Sequence, residues 1–250
     1  MIFTIAWREL RTLFLSPLAW VIFVVVPLLL TILFLGRLVA YTDQYAPVYA
    51  MTENAIGITE FIVPPLLWTA SIIFLIVVPL LTMRVFAEER RSKTLTLLFS
   101  APVSITEIVL GKYFGVLGFL FTVLALIGLL PLSLLTGGAL DFGLLASGLL
   151  GLALVLAGFA AVGVFMSSLT QYAAVAAIGA FGTLLLFWVL DWSSQGLHSG
   201  GLLEYLSLAN HYLPFLQGLF DSTDALYHLL LIVTFLTLSI RRLDADRLGA

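Results

Sequence analysis

Residues 142–190 read FGLLASGLLGLALVLAGFAAVGVFMSSLTQYAAVAAIGAFGTLLLFWVL and contain no charged residue. A helix that crosses a membrane needs about 20 consecutive apolar residues, so this run is long enough for two spans. Its only polar break is SSLTQ at residues 167–171. We therefore predict an antiparallel pair of membrane helices, at residues 143–168 and 171–191, joined by a very short turn.

The rest of the chain repeats this pattern of long uncharged runs. Of the 250 residues, 62% are hydrophobic and 10% are charged, and the mean hydropathy is +1.15. A soluble domain has about a quarter charged residues, so this composition excludes one. We predict an all-α polytopic membrane protein, with residues 1–250 forming a single transmembrane domain of six helices. The other four predicted transmembrane helices are 17–37, 63–85, 107–134 and 224–241.

The basic residues predict the orientation of this domain. With six spans, Arg37 alone lies on one side of the membrane, and ten basic residues lie on the other. Basic residues accumulate in cytoplasmic loops, so we expect both termini in the cytoplasm and the protein in the cell inner membrane. The ten residues are Arg8, Arg11, Arg84, Arg90, Arg91, Lys93, Lys112, Arg241, Arg242 and Arg247. The opposite, outer face is rich in acidic residues.

Two segments outside the spans have helical patterns. Residues 2–15 are amphipathic and should lie in the membrane interface as an elbow helix that enters the first span at Ser16-Pro17. Its polar and aromatic positions serve either to anchor the chain or to dock a cytoplasmic partner. The candidate contact residues of this elbow helix are Trp7, Arg8, Glu9 and Arg11.

The loop between the second and third spans contains the other helical pattern, in a segment that we place at residues 88–103. Leu95, Leu98 and Phe99 share one helical face, and Pro102 would end that short helix. Ser104 and Glu107 have the S-x-x-E spacing of a capping box that would start the third span. The segment is either an ordinary basic loop or a helix that passes motion to the two spans it joins.

An outer segment at residues 193–222 is too long for a tight turn. It is either a re-entrant hairpin, whose backbone must then be buried by protein, or a loop on the outer surface. Small residues concentrate in the fourth and fifth spans and permit close helix contact. Gly111 and Gly115 form a G-x-x-x-G pattern, which is common in apolar helices and gives only weak support for a dimer.

Motifs for catalysis and cofactor binding are missing from the sequence. Lys112 follows a glycine but lacks the rest of a P-loop, and neither H-E-x-x-H nor G-x-S-x-G occurs. The three histidines are scattered on the outer side, and the chain has no cysteine. The spans contain essentially no ionisable residue, which argues against an ion-coupled transporter and against an intramembrane hydrolase.

The loop and the start of the third span resemble the membrane subunit of an ABC-2 type ABC transporter, which has the type V exporter fold. The family commonly shows E-x-x-x-G-T-L-E-L-L-x-x-x-P-V-S followed by E-I-V-x-G-K. Lys93 stands where the family usually has glycine, and Thr96 where it has an acid. The matching residues are Glu89, Thr94, Leu95, Leu97, Leu98, Pro102, Val103, Ser104 and residues 107–112. Residues 213–222 are also similar to the F-x-x-G-x-x-D region of gliding-motility-type and nitrous-oxide-reductase-maturation-type permeases.

The resemblance implies a non-catalytic permease that works with two copies of a cytoplasmic ABC ATPase and with a second permease copy or a homologue. ATP and Mg would bind to the ATPase, and we expect no cofactor in this chain and no nucleic-acid partner. Spans one and five would line the interface between permease subunits. The alternative is a mechanotransmission subunit that passes ATPase motion to a periplasmic accessory protein. The implied ATPase-coupling residues are Glu88, Glu89, Arg91, Thr94, Leu95, Leu98, Phe99, Pro102 and Ser104.

The predicted orientation is testable because the chain has no cysteine. In intact cells, Tyr45→Cys should react with a membrane-impermeant thiol reagent, and Ser92→Cys should react only after the membrane is opened. Labelling of position 92 from outside would contradict the topology.

Overall fold

The structure, a computed structural model, describes residues 1–45, 57–94, 103–136, 140–194 and 205–248. Every regular element within these ranges is helical. The helices are α1 (Ile2–Leu15), α2 (Pro17–Ala40), α3 (Ile58–Thr82), α4 (Ala87–Arg91), α5 (Ile105–Leu132), α6 (Phe142–Leu169), α7 (Ala173–Ser194), α8 (Leu208–Leu216) and α9 (Ser222–Leu248). A π-helical turn, Tyr41–Tyr45, extends α2, and a 3₁₀ turn, Ser133–Thr136, extends α5.

Six of these helices are long and apolar enough to cross a membrane: α2, α3, α5, α6, α7 and α9. The prediction of an all-α polytopic membrane protein is therefore confirmed. The uncharged run at residues 142–190 forms two helices, because α6 ends at Leu169 and α7 begins at Ala173. The turn between them is residues 170–172, so the polar break at residues 167–171 covers the last residues of α6 and the first two of the turn.

Helix α6 occupies the centre of the bundle, where it packs against α3, α5, α7, α8 and α9. Its glycines make this close packing possible. A β-carbon at Gly151 would lie 2.8 Å from Cγ of Phe215, and one at Gly163 would lie 2.8 Å from Cβ of Thr82. Both separations are too short for carbon atoms that are not bonded. The small residues of α6 therefore allow the neighbouring helices to pack closer to it than larger residues would.

The elbow helix α1 joins α2 through a sharp bend, as predicted. Ser16 is extended, with φ −78° and ψ 131°, and Pro17 occupies the first turn of α2. The apolar side chains of α1 fall into two groups. Ile5, Leu10 and neighbouring side chains pack against the core, whereas Phe3 and Trp7 are exposed.

The G-x-x-x-G pattern of α5 packs against α1 in the same chain. A β-carbon at Gly111 would lie 2.7 Å from Cβ of Ile5. One at Gly115 would lie 2.6 Å from Cβ of Glu9 and 2.9 Å from the carbonyl oxygen of Ala6. The two glycines therefore form a flat surface on α5 that receives the elbow helix.

Helix α8 is attached to the start of α9 through a contact between His211 and Asp224. His211 Nδ1 lies 2.6 Å from Asp224 Oδ1, and His211 Nε2 lies 2.9 Å from the carbonyl oxygen of Tyr205. His228 Nδ1 lies 2.9 Å from the carbonyl oxygen of Asp224. In the sequence these histidines are scattered, whereas the tertiary structure places both His211 and His228 next to Asp224. His198 lies outside the described residues.

The close approach of α1 to α5 gives a prediction. Gly115→Ala should lower the free energy of unfolding by roughly 1–3 kcal/mol, because the added methyl group pushes against the backbone of α1. Thermal unfolding of the detergent-solubilised protein measures the change. Gly182→Ala is the matched control, since no atom lies within 4 Å of an added β-carbon there. Equal Tm values for the two variants would contradict the packing.

Candidate functional site

Lys112 is buried at the end of the bundle where α1, α4, the start of α5 and the last turns of α6 and α9 meet, which we call the basic end. Its side chain is only 3% exposed. Nζ lies 2.9 Å from Glu89 Oε1 and 3.4 Å from Glu9 Oε2. It also donates to the carbonyl oxygen of Val85 at 2.8 Å and lies 5.2 Å from the centre of the Phe86 ring.

This Lys112 triad, formed by Lys112, Glu9 and Glu89, joins three separate parts of the chain. Glu9 belongs to the elbow helix, Glu89 to α4 and Lys112 to the third span. A buried ammonium group is tolerated only when it is paired and hydrogen-bonded, and a pair broken on one side is costly. The triad therefore holds the three elements in one relative position.

The start of α4 is held by Ser167, near the end of α6. The Ser167 hydroxyl accepts hydrogen bonds from the N–H groups of Phe86 at 3.0 Å and Ala87 at 3.1 Å. It donates to the carbonyl oxygen of Met83 at 2.9 Å. N–H groups at a helix start have no partner within the helix, and this serine supplies one from a different span.

Arg90 attaches the other side of α4 to the bundle. It donates to the carbonyl oxygen of Ser168 at 2.7 Å and forms an ion pair with Asp246, near the end of α9. Arg242 Nη2 also lies 3.5 Å from Asp246 Oδ1. The five residues of α4 are thus connected to α1, α5, α6 and α9.

Residues 88–103, which we call the coupling segment, are followed by a fixed helix start. Ser104 Oγ accepts from the Glu107 N–H at 3.2 Å, and Glu107 Oε2 accepts from the Ser104 N–H at 3.1 Å. This is the capping box that the S-x-x-E spacing predicted. It begins α5, so the loop returns to the bundle at a defined position.

The predicted site residues fall into three groups. Glu89 and Glu9 point into the bundle and bind Lys112. Glu88 and Arg91 on α4, Thr94 after it, and the elbow residues Trp7, Arg8 and Arg11 are exposed. Leu95, Leu98, Phe99 and Pro102 lie outside the described residues.

Sequence reasoning did not identify Lys112, Arg90, Ser167 and Asp246 as members of one site. From the sequence, Lys112 is one of ten basic residues on one side of the membrane, part of an absent P-loop and part of a family motif. One signal was available, because a lysine inside an otherwise apolar helix needs a counter-charge. The identity of that counter-charge was not available, since Glu9 is 103 residues away in the chain.

The geometry suits mechanical connection more than chemistry. Within the described ranges, no group of three or more side chains is arranged to hold a metal ion. The contacts at the basic end instead join separate helices through charged and hydrogen-bonded pairs. A displacement of α4 would act directly on α5, α6 and α9, and on α1 through Lys112.

These features define a multi-pass α-helical membrane protein with an interfacial elbow helix and a connected helical loop between its second and third spans. The family model described as ABC-2 family transporter protein matches residues 3–248. The chain belongs to this family and is a permease subunit of an ABC transporter, a class that works with an ABC ATPase. No curated protein matches the chain.

Removal of the Lys112 charge should destabilise the protein. Lys112→Met leaves two partly buried carboxylates without their partner, and we expect a loss of roughly 2–4 kcal/mol in the free energy of unfolding, below that of a fully buried pair. Thermal unfolding in detergent measures it. Arg241→Met, at an exposed position on α9, is the control for the loss of one positive charge. Adding Glu9→Gln and Glu89→Gln to Lys112→Met should restore part of the stability. An unchanged Tm for Lys112→Met would show that the triad contributes little.

Proposed function

We propose that this protein couples ATP hydrolysis by a separate ATPase to substrate movement out of the cell, as one of two permease subunits in an ABC exporter. The observation that carries the proposal is the attachment of α4 to four other helices through Lys112, Ser167 and Arg90. A short helix that spans nothing gains no stability from the bilayer. The contacts of α4 are those that a helix would need in order to receive force from the ATPase and pass it to the spans.

In this proposal two ATPase copies, which hold ATP and Mg, dock on the elbow helix and on the segment at residues 88–103. The exposed side chains of Trp7, Arg8, Glu88 and Arg91 are available for such contacts. When the ATPases close on ATP, the segment is displaced and α4 moves with it. Because Lys112 and Arg90 tie α4 to the spans, these helices tilt together.

The same proposal places the basic end in the cytoplasm and the protein in the inner membrane, as the distribution of basic residues favours. A second permease copy or a homologue would pack against spans one and five. The outward sides of α2 and α7 suit this role, since Trp20 is 54% and Ile178 is 72% exposed. Both faces are apolar, so they require either lipid or another membrane helix as a neighbour.

A second candidate function is mechanotransmission without transport, in which an accessory subunit contacts the acidic outer face. One observation favours it. The ring centres of Trp68 and Trp188 lie 5.0 Å apart, and Tyr212 stacks on Trp68 at 6.1 Å. These bulky side chains pack together between α3, α7 and α8, beside an open groove of about 370 Å³ that Trp68 also lines. Purification of an outer partner that the ATPase cycle displaces, with no transported substrate, would favour this candidate.

The docking role of the coupling segment can be tested with a charge on its apolar face. Leu98→Asp and Leu95→Asp should each reduce capture of the ATPase, and its permease-stimulated ATP turnover, at least tenfold, because a charge in a docking groove loses its hydration. Affinity capture and turnover in proteoliposomes measure the two effects. Membrane insertion should be unchanged, since the spans are not altered.

Ser100→Asp is the matched control, because it adds the same charge on the side of the predicted helix that faces away from Leu95, Leu98 and Phe99. It should leave capture intact. If both leucine variants capture the ATPase as well as the unmodified chain does, the segment is not the docking site. The elbow helix around Arg8 and Arg11 would then be the next candidate.

A further inference from the structure

A cleft of about 460 Å³ opens at the basic end between the connection after α3 and the start of α7. We call it the basic cleft, and its lining residues are Arg84, Glu88, Arg91, Ser92, Gln171 and Ala173. The side chains of both arginines are exposed. The cleft is separate from the Lys112 triad, since none of the triad residues lines it.

The charges around the basic cleft are not balanced. On this side of the protein, Glu9 and Glu89 pair with Lys112, Asp246 pairs with Arg90, and Glu107 pairs with the N-terminal amine. Among the described residues, Arg84 and Arg91 form no ion pair. Residues 95–102, which follow in the chain, contain no carboxylate side chain. Glu88 thus offsets one guanidinium at most, and the cleft keeps one positive charge in excess.

The position of the cleft in the bundle decides which anion fits. Arg84 lies two residues beyond the end of α3, and Gln171 lies in the turn between α6 and α7. Both are therefore at the depth where membrane helices end and lipid headgroups begin. Tyr172, next to Gln171, is 61% exposed, as is typical of aromatic residues in the interface. An acidic protein partner would instead approach from the aqueous phase, beyond the lipid headgroups.

We propose that the basic cleft binds the phosphate group of an anionic phospholipid. Guanidinium groups bind phosphate oxygens through two parallel hydrogen bonds, and basic pockets between membrane helices are suited to anionic headgroups. The Gln171 amide adds a neutral hydrogen-bond donor on the opposite wall. The cleft adjoins the proposed ATPase contact, because Glu88, Arg91 and Ser92 also belong to the coupling segment. Lipid binding is therefore measured on the permease without its ATPase.

The experiment measures the Kd of short-chain phosphatidylglycerol and of phosphatidylcholine with the same acyl chains, by microscale thermophoresis of the purified chain in a neutral detergent. The unmodified chain should bind phosphatidylglycerol at least tenfold more tightly. Arg84→Gln should weaken that binding roughly tenfold, because it removes a charge-assisted pair. Arg84→Gln with Arg91→Gln should abolish the preference. Arg241→Gln, which removes one exposed charge at the same end outside the cleft, should retain it.

A third arm uses glycerol 1-phosphate, which carries the phosphate without acyl chains. Much weaker binding of this probe than of phosphatidylglycerol supports the lipid. Equal binding overturns the lipid assignment and leaves a site for soluble phosphate esters. If the double variant keeps the preference for phosphatidylglycerol, the cleft is not the site. If it keeps that preference and loses only ATPase capture, the two arginines contact the ATPase, and the proposal is wrong.

Discussion

The arrangement of the basic end depends on one constraint, which is that the ammonium group of Lys112 has been removed from water. A buried charge must be met by opposite charge and hydrogen bonds, and Glu9, Glu89 and the Val85 carbonyl meet it. Because these groups come from the elbow helix and from the connection after α3, the elbow helix cannot lie free on the membrane. Glycines at positions 111 and 115 bring its backbone close enough for Glu9 to reach the lysine.

Helix α4, which supplies Glu89 to the Lys112 triad, also contacts the ends of two other helices. Ser167 satisfies its first N–H groups, and Arg90 ties it to the ends of α6 and α9. Replacing one partner would leave an unpaired polar group, whereas moving the whole set together keeps every contact. Networks of this kind favour rigid displacement over local deformation. A displacement of α4 would therefore be shared among several spans.

The two ends of the bundle use polar contacts differently. At the end where α9 begins, the Asp224 side chain contacts His211 of α8, and its backbone carbonyl contacts His228 one turn further along α9. The His211–Asp224 contact fastens α8 to the last span. Between the ends the bundle relies on aromatic and aliphatic packing around α6, including the Trp68–Trp188 pair. Polar groups are thus concentrated where water or protein can satisfy them, as the hydrocarbon core demands.

The sequence alone determined the class of the protein, because the bilayer imposes a length and a polarity on every span. It also determined local features, such as the Ser104–Glu107 capping box and the bend at Ser16-Pro17, whose partners lie within a few residues. Only the tertiary structure decided the partners of Lys112, the role of Ser167 and the use of the G-x-x-x-G pattern. Phe86 and Ser167 are 81 residues apart, and no periodic pattern in the sequence indicates that two such residues are in contact. These contacts depend on how the helices pack against one another. The requirement that each span be apolar does not determine that packing.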